Sequence, residues 1–459
     1  MTRNITSRWL PLALGLIGFT ATLPLLGCKD FLSVTDPDII PQVNSAAGAV
    51  ALHDGAVLRL AQAVSGTQGP DALFLFGGLL ADEWRSGDTF VQRNNQDQRI
   101  WDLSNTFNAG PFRNLNRVRT QGWAAINGLR TYFPTPRTNI GRMFAFIGYV
   151  QTLMGEHYCN GIPLDSIAGT TIVSGTPISD DSVLGLAIAS ADSALANLGG
   201  ADSARVANFA KVIKARALVD RGDFVGANTV VATVPTTFHY DVTHSVNVNV
   251  NQINALNNGA KRYTVADTEG VNGLPFVSAR DPRLPTQLGK ATDVIFDSQY
   301  GFRILRQGIW GQTAPVKIAT GIEARLIEAE AALQANDTAT WLSKLNVPRA
   351  DTTLLPVPLD TTYRPVAGTK LAPLADPGAP AARARLMFYE RAFWMFGTGH
   401  RLGDMRRQVR QYGTFFSVNT VYPIGQWFKG GTYGDAIQMS IPIEEQNNQN
   451  FHGCTDRNP

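Results

Sequence analysis

One stretch of this chain can exist only in the middle of something large. Between Ala381 and Arg410, the residues Leu386, Met387, Phe388, Tyr389, Ala392, Phe393, Trp394, Met395 and Phe396 leave almost no polar face. A helix that is apolar all round is buried. Glu390-Arg391 sits at its centre, and ionised groups buried there need partners. Both are expected to bond to other helices or to backbone, and not to a substrate. Truncating Glu390 is expected to strand Arg391. Gly397-Thr398-Gly399 then breaks the helix ahead of His400, Arg401, Asp404, Arg406 and Arg407. Enclosing such a helix takes a long chain, and 459 residues with 44% hydrophobic composition suffice, as one large domain or two entangled ones. Charged residues make up 17%, against about 25% in ordinary globular proteins. That excludes a disordered tail or a coiled coil. Three cysteines are too few for a disulfide-stapled scaffold.

The N-terminus says where the chain goes. Arg3 and Arg8 form a basic start, and Trp9 to Gly27 carries no charge. Pro11, Pro24 and the early position point to a signal peptide rather than a membrane span. It ends in Leu25-Leu26-Gly27-Cys28, which resembles the lipobox of bacterial lipoproteins. Residues 1–27 are expected to be removed, with Cys28 acylated as the new N-terminus. Two or three acyl chains anchor stably where one holds only marginally. Losing Arg3 and Arg8 takes the formal charge from +3 to +1, which leaves no electrostatic reason to bind nucleic acid. Lys29-Asp30 faintly resembles a surface-export signal. Cys159 and Cys454 would meet an oxidising compartment; two solitary thiols are the expectation, with pairing as the alternative. No metal site is expected at His157-Tyr158-Cys159, because no second ligand pair stands at the right spacing.

Helices are expected over 46–63, 113–130, 141–158, 179–198 and 204–221, the first with Val50, Val57, Leu58 and Leu60 inward. Met143, Ile147, Val150 and Met154 share one face of the third. Gly222-Asp223 should end one helix and cap the next, and Asn336-Asp337 repeats that layout between 323–333 and 339–345. Antiparallel pairs joined in this way resemble tetratricopeptide units, here degenerate and not in tandem. Val246 to Asn251 alternates Val with Asn and suggests a short strand. Loop-rich regions are expected at about 80–112, 236–317 and 351–382, the last broken by Pro356, Pro358, Pro365, Pro373, Pro377 and Pro380. The helical scaffold then occupies about 40–235 and 318–411.

Taken in order, these features resemble the SusD/RagB family of outer-membrane nutrient-binding lipoproteins. The resemblance rests on Cys28 with Phe31-Leu32, Tyr158 to Leu164, Ala215-Arg216-Ala217-Leu218 with Gly222-Asp223-Phe224, and Ser278 to Leu284. It continues through Arg325 to Ala331, Glu390-Arg391 with Gly399-His400-Arg401 and Asp404-Met405-Arg406-Arg407, and Ile441-Pro442-Ile443 with Gln449-Asn450. The usual second acid after Glu-Arg is missing here. The resemblance implies a mostly α fold of tetratricopeptide-like pairs forming a curved scaffold, a loop-rich region with few short strands, and one domain over 28–459. It implies no catalysis and no cofactor. The implied partner is a SusC-like TonB-dependent barrel, and the implied ligand is a glycan or, alternatively, a peptide.

Sugars present flat C–H faces and hydroxyls, so loop aromatics beside polar groups are the natural contacts. The candidates are Trp84, Arg85, Asp88 and Phe90 in the first loop region and Tyr300, Phe302 and Trp310 in the second. Trp427 and Phe428 suggest loop packing or a barrel contact. Glu390, Arg391, Arg401 and Asp404 are expected to form structural ion pairs. A secreted hydrolase is the competing reading. No Gly-x-Ser-x-Gly, His-Glu-x-x-His or phosphate loop supports it; the adjacent acids Asp82-Glu83 could serve a glycosidase, but a solvated or capping role is the expectation.

Overall fold

A computed structural model describes residues 43–67, 69–168 and 171–459. The leader and Cys28 lie outside the described residues. Helices dominate: α1 (Ala46–Val64), α2 (Leu73–Leu80), α3 (Val91–Asp97), α4 (Ala109–Tyr132), α5 (Thr138–His157), α6 (Asp180–Ala196), α7 (Ser203–Asp220), α8 (Phe224–Val231), α9 (Gly321–Gln334), α10 (Thr338–Ala350), α11 (Pro380–Trp394) and α12 (Arg401–Gln411). The strands pair only two by two, all antiparallel. These are β1 (Trp84–Ser86) with β5 (Tyr263–Val265), β2 (Ser166–Ala168) with β3 (Thr171–Val173), β4 (His239–Val242) with β8 (Val316–Thr320), and β6 (Thr286–Leu288) with β7 (Leu305–Gln307).

The helices stack largely in chain order. α1 lies on α4, α4 on α5, α5 on α6, α6 on α7, α7 on α8, α8 on α9 and α9 on α10. Local chemistry sets the joints. Ser179 caps α6 by accepting from the Ser182 N–H at 3.2 Å. Gly222 turns with φ 83° and Asp223 caps α8 at the Gly226 N–H, 2.8 Å away. Asn336 (φ 57°) and Asp337, which accepts from the Thr340 N–H at 3.0 Å, do the same between α9 and α10. Close approach of α5 and α6 depends on Gly141, Gly148 and Gly155, spaced by seven residues. A Cβ at Gly148 would stand 3.0 Å from the Ala187 carbonyl oxygen, tighter than most packed Cβ atoms, so α6 would have to give way.

Some expectations fail for physical reasons. α1 turns Val57 and Leu58 outward and buries Ala49, His53, Ala56, Leu60 and Ala63 instead. Its neighbour α4 approaches through Gly128 beside Ala49, so small residues make the contact. α2 escapes a search for amphipathic period because all of its residues are buried. Val246-Asn247-Val248 is a turn, not a strand. Its asparagines spend their amides locally: Asn249 donates to the Thr243 carbonyl at 3.3 Å, and Asn251 accepts from the Ile253 N–H at 3.0 Å. Cys159 and Cys454 are joined in a disulfide with 5.7 Å between their Cα atoms, which overturns the expectation of solitary thiols. The two lie 295 residues apart, too far for spacing to reveal the pairing.

The C-terminal pair α11/α12 is held to the stack by buried charge. Glu390 accepts from Arg283 at 2.7 Å and from Arg349 at 2.8 Å, so its loss would strand those two and not Arg391. Arg391 donates to Asp404 at 2.8 Å. Arg407 donates to Asp404 at 2.7 Å, pairs with Asp220 at 3.1 Å and bonds Glu330. Arg401 reaches Asp82 at 2.9 Å, Arg216 bonds Glu156, and Arg406 bonds Asp180. Among the described residues no helix is long and apolar enough to cross a membrane.

Candidate functional site

Three loops distant in sequence converge on one exposed aromatic shelf. The first follows β1: Ser86 pairs across to Tyr263 of β5, and the chain turns through Asp88 to Phe90 at the start of α3. The second is a hairpin in which the Ile295 N–H donates to the Phe302 carbonyl at 2.9 Å. Gly301, at φ 64°, turns its tip, a left-handed conformation that a side chain would strain. The third is the 426–432 turn, closed by the Trp427 N–H on the Gly431 carbonyl at 3.0 Å.

The rings meet in one stacked and one tilted contact. Tyr300 and Phe302 stack with centroids 6.0 Å apart and planes 7° off parallel, and Phe428 lies 5.4 Å from Phe302. Tyr300 and Phe302 are 39% and 40% exposed, and Phe90 is 46% exposed. Guanidinium groups connect the rings. Arg262 lies 3.9 Å from the Phe296 centroid and 5.1 Å from that of Phe90, while Arg85 lies 5.3 Å from that of Phe428.

Beneath the shelf, one ammonium ties the three loops together. Lys429 is buried, and its Nζ donates to the Asp88 carbonyl at 2.6 Å, to Asn94 Oδ1 at 3.0 Å and to Asp297 Oδ2 at 3.1 Å. Burial lowers its pKa, against the pull of Asp297. Asp97 lies close by and is fully buried. It accepts from the Ser86 N–H at 2.8 Å and from Trp427 Nε1 at 3.1 Å, fixing Trp427 inward so that Phe428 faces outward. Burial raises its carboxyl to about 7, only partly offset by those two bonds. Because the folded value lies above the ordinary one, protonation stabilises the fold. That contribution is full below about pH 4 and is lost as pH rises through 7. Asp97→Asn keeps an acceptor in place, so its unfolding free energy should fall less between pH 4 and pH 8 than that of the parent. Chemical denaturation across that range measures the difference, and equal slopes would exclude Asp97 as the titrating group.

The structure sorts the sequence candidates into groups. Phe90, Tyr300 and Phe302 share the shelf. Arg85 borders it, ion-paired to Glu269, whose other oxygen accepts from the Tyr433 hydroxyl at 2.6 Å. Trp84 is corrected: it is fully buried, 5.1 Å from the Phe396 ring, because the pleat of β1 points it into the core. Asp88 is corrected as well. It is buried between Arg93 and Arg262, and those bonds outweigh burial and hold its carboxyl below the ordinary value. It shapes the loop and has no reach to a ligand. Trp310 is buried too and lines a separate cavity. Sequence reasoning missed Phe296, Arg262 and Lys429. Only Phe428, set between glycines, carried a local signal. Asp82 and Glu83, the acids a hydrolase would use, are sealed off: Asp82 holds Arg401, and Glu83 accepts from the Gly397 N–H at 2.8 Å, its carboxyl pushed by burial to about 8. Among the described residues no group of three or more His, Cys, Asp or Glu could hold a metal ion.

No family model matches this sequence, and no curated protein does. Solved structures match over most of its length. A SusD-like protein of Bacteroides fragilis is 12% identical, with TM-score 0.63, over 90% of this chain and 98% of that one. The chain has a SusD-like fold. A SusD-like carbohydrate-binding protein of Bacteroides vulgatus is 12% identical at TM-score 0.59, over 89% and 98% of the two chains. A SusD/RagB family protein of Bacteroides thetaiotaomicron is 14% identical at TM-score 0.55, over 80% and 90%. At identities this low the structural matches establish the fold alone, a SusD-like architecture of paired helices with few short strands. The motifs from Glu390 to Arg407 find their place in it as the buried charge that fastens the last helix pair.

Proposed function

We propose that this chain is a lipid-anchored, cell-surface binding protein that captures a neutral oligosaccharide on the aromatic shelf. It delivers that nutrient to a SusC-like TonB-dependent barrel in the outer membrane. The observation that carries the reading is the exposed, parallel Tyr300–Phe302 pair beside Phe428, with Arg85 against Phe428 and Arg262 against the neighbouring Phe296. Carbohydrate C–H faces stack on such rings, each aromatic contact contributing about 0.5–1.5 kcal/mol beyond its area, and guanidinium donors meet hydroxyls. Support also comes from the SusD-like fold, which other proteins named for carbohydrate binding share. A disulfide at Cys159–Cys454 suits an exported chain, and Cys28 would supply the anchor. The burial of Asp82 and Glu83 favours binding over hydrolysis.

The test is a titration of the purified protein against neutral oligosaccharides and, in parallel, short peptides, with products checked for cleavage. Tyr300→Ala combined with Phe302→Ala should weaken oligosaccharide binding by at least about tenfold, the loss of two ring contacts. The melting temperature should hardly move, because both rings are half exposed. Affinity that survives the double change would move the site elsewhere, tight binding of peptides alone would replace the glycan, and turnover would reject a purely binding role.

A further inference from the structure

A second cavity lies away from the shelf, between the end of β8, the first turn of α9 and the end of α11. It holds about 270 Å³. Its walls are largely apolar, with Trp310, Trp394, Ile318 and Met395 among them, and Val357 stands at its rim, 77% exposed. Two polar groups in the lining lack hydrogen-bond partners: both carboxylate oxygens of Glu323, and Trp394 Nε1.

The state of His400 explains why Glu323 is left over. The Thr398 hydroxyl donates to the Met395 carbonyl at 2.6 Å, so that oxygen can only accept from His400 Nδ1, 2.9 Å away. The imidazole proton therefore sits on Nδ1. Nε2 is then an acceptor, and the Arg216 guanidinium donates to it at 2.9 Å. Glu323 Oε1 lies 3.1 Å from the same Nε2 and gains no proton from it. The carboxylate thus needs a donor and the Trp394 indole needs an acceptor. Leaving either group unsatisfied when buried costs roughly 1–3 kcal/mol.

We infer that this cavity is a second binding site, for a single neutral phenolic ring. One hydroxyl answers both needs: its O–H donates to Glu323, and its oxygen accepts from Trp394. Charge excludes the alternatives. Glu323 opposes an anion, and Lys317, which also lines the cavity, together with Arg216, whose charge acts on Glu323, opposes a cation. A polyol such as a free sugar carries more hydroxyls than so apolar a wall can satisfy, whereas a phenol carries one. The site goes beyond the shelf and shares none of its aromatic residues.

The probe is p-cresol, followed by saturation-transfer NMR and calorimetry on the intact protein, with benzylammonium, phenylacetate and glucose as comparisons. p-Cresol should bind at one site and the comparisons markedly less. Val357→Trp at the rim and Glu323→Gln inside should each weaken it by about tenfold, the loss of about 1.4 kcal/mol. Phe302→Ala should leave p-cresol binding unchanged while lowering oligosaccharide affinity, which separates the two sites. Should Glu323→Gln fail to fold, Val357→Trp alone decides. No p-cresol binding, p-cresol binding indifferent to the rim change, or equal binding of the charged probes would overturn the inference.

Discussion

Glu330→Ala should lower the unfolding free energy by about 3–5 kcal/mol, the cost of breaking a buried ion pair by removing one partner. Glu330 is fully buried. It bonds Arg407, accepts from the Tyr412 hydroxyl at 3.0 Å and lies 3.9 Å from Arg391. Without it, two guanidinium groups share Asp404 and Asp220 in a space that water does not reach. The acid side of the same web should show in the pH profile. Burial opposes ionisation of Asp404, but Arg391 and Arg407 outweigh it and hold its carboxyl far below the usual range. A depressed folded value stabilises above about pH 4, and that share is lost on acidification below it. Urea unfolding of the parent and the variant at neutral pH tests the main claim. A midpoint unchanged by Glu330→Ala would mean that the web is hydrated and contributes nothing.

Lys429→Met should abolish measurable oligosaccharide binding while the helical stack survives. Methionine fills a similar volume but offers no proton to Asp297, Asn94 or the Asp88 carbonyl. Each stranded acceptor costs roughly 1–3 kcal/mol unless its loop moves out to water. Moving out is the expected response, against the remaining ties between Trp427 and Asp97 and between the Asp297 N–H and the Gly87 carbonyl. Phe90, Tyr300 and Phe428 would then no longer stand together. Calorimetric titration against the best-binding oligosaccharide, with circular dichroism to follow helix content, separates loss of the site from loss of the fold. Normal affinity in a variant that has lost the hub would show that the shelf holds itself together.

The helical half of the molecule was legible in the sequence because its signals are local. Met143, Ile147 and Val150 share a face, Gly222-Asp223 and Asn336-Asp337 punctuate, and Ser179 caps. The charged helix around Glu390 announced a deep core, although its partners could not be read: Arg283 is 107 residues from Glu390 and belongs to a loop. α2 stayed hidden for the opposite reason, since a segment buried on every side has no periodicity to detect. At the shelf, residue type pointed to Phe90, Tyr300 and Phe302, but type alone could not tell them from Trp84, an equally good platform that the pleat of β1 turns inward. Arg262 and Lys429 lacked any local signature, because what makes them important is contact across 174 and 341 residues, to Asp88 in both cases.

The covalent link between Cys159 and Cys454 closes a ring that takes in α6 to α12, two of the three shelf loops and the long proline-rich strap between α10 and α11. Most of that strap lies open to solvent. A proteolytic nick there cuts the polypeptide without freeing a fragment, because both new pieces remain tied through sulfur. The bond thus works as damage tolerance: a severed copy keeps its halves in register.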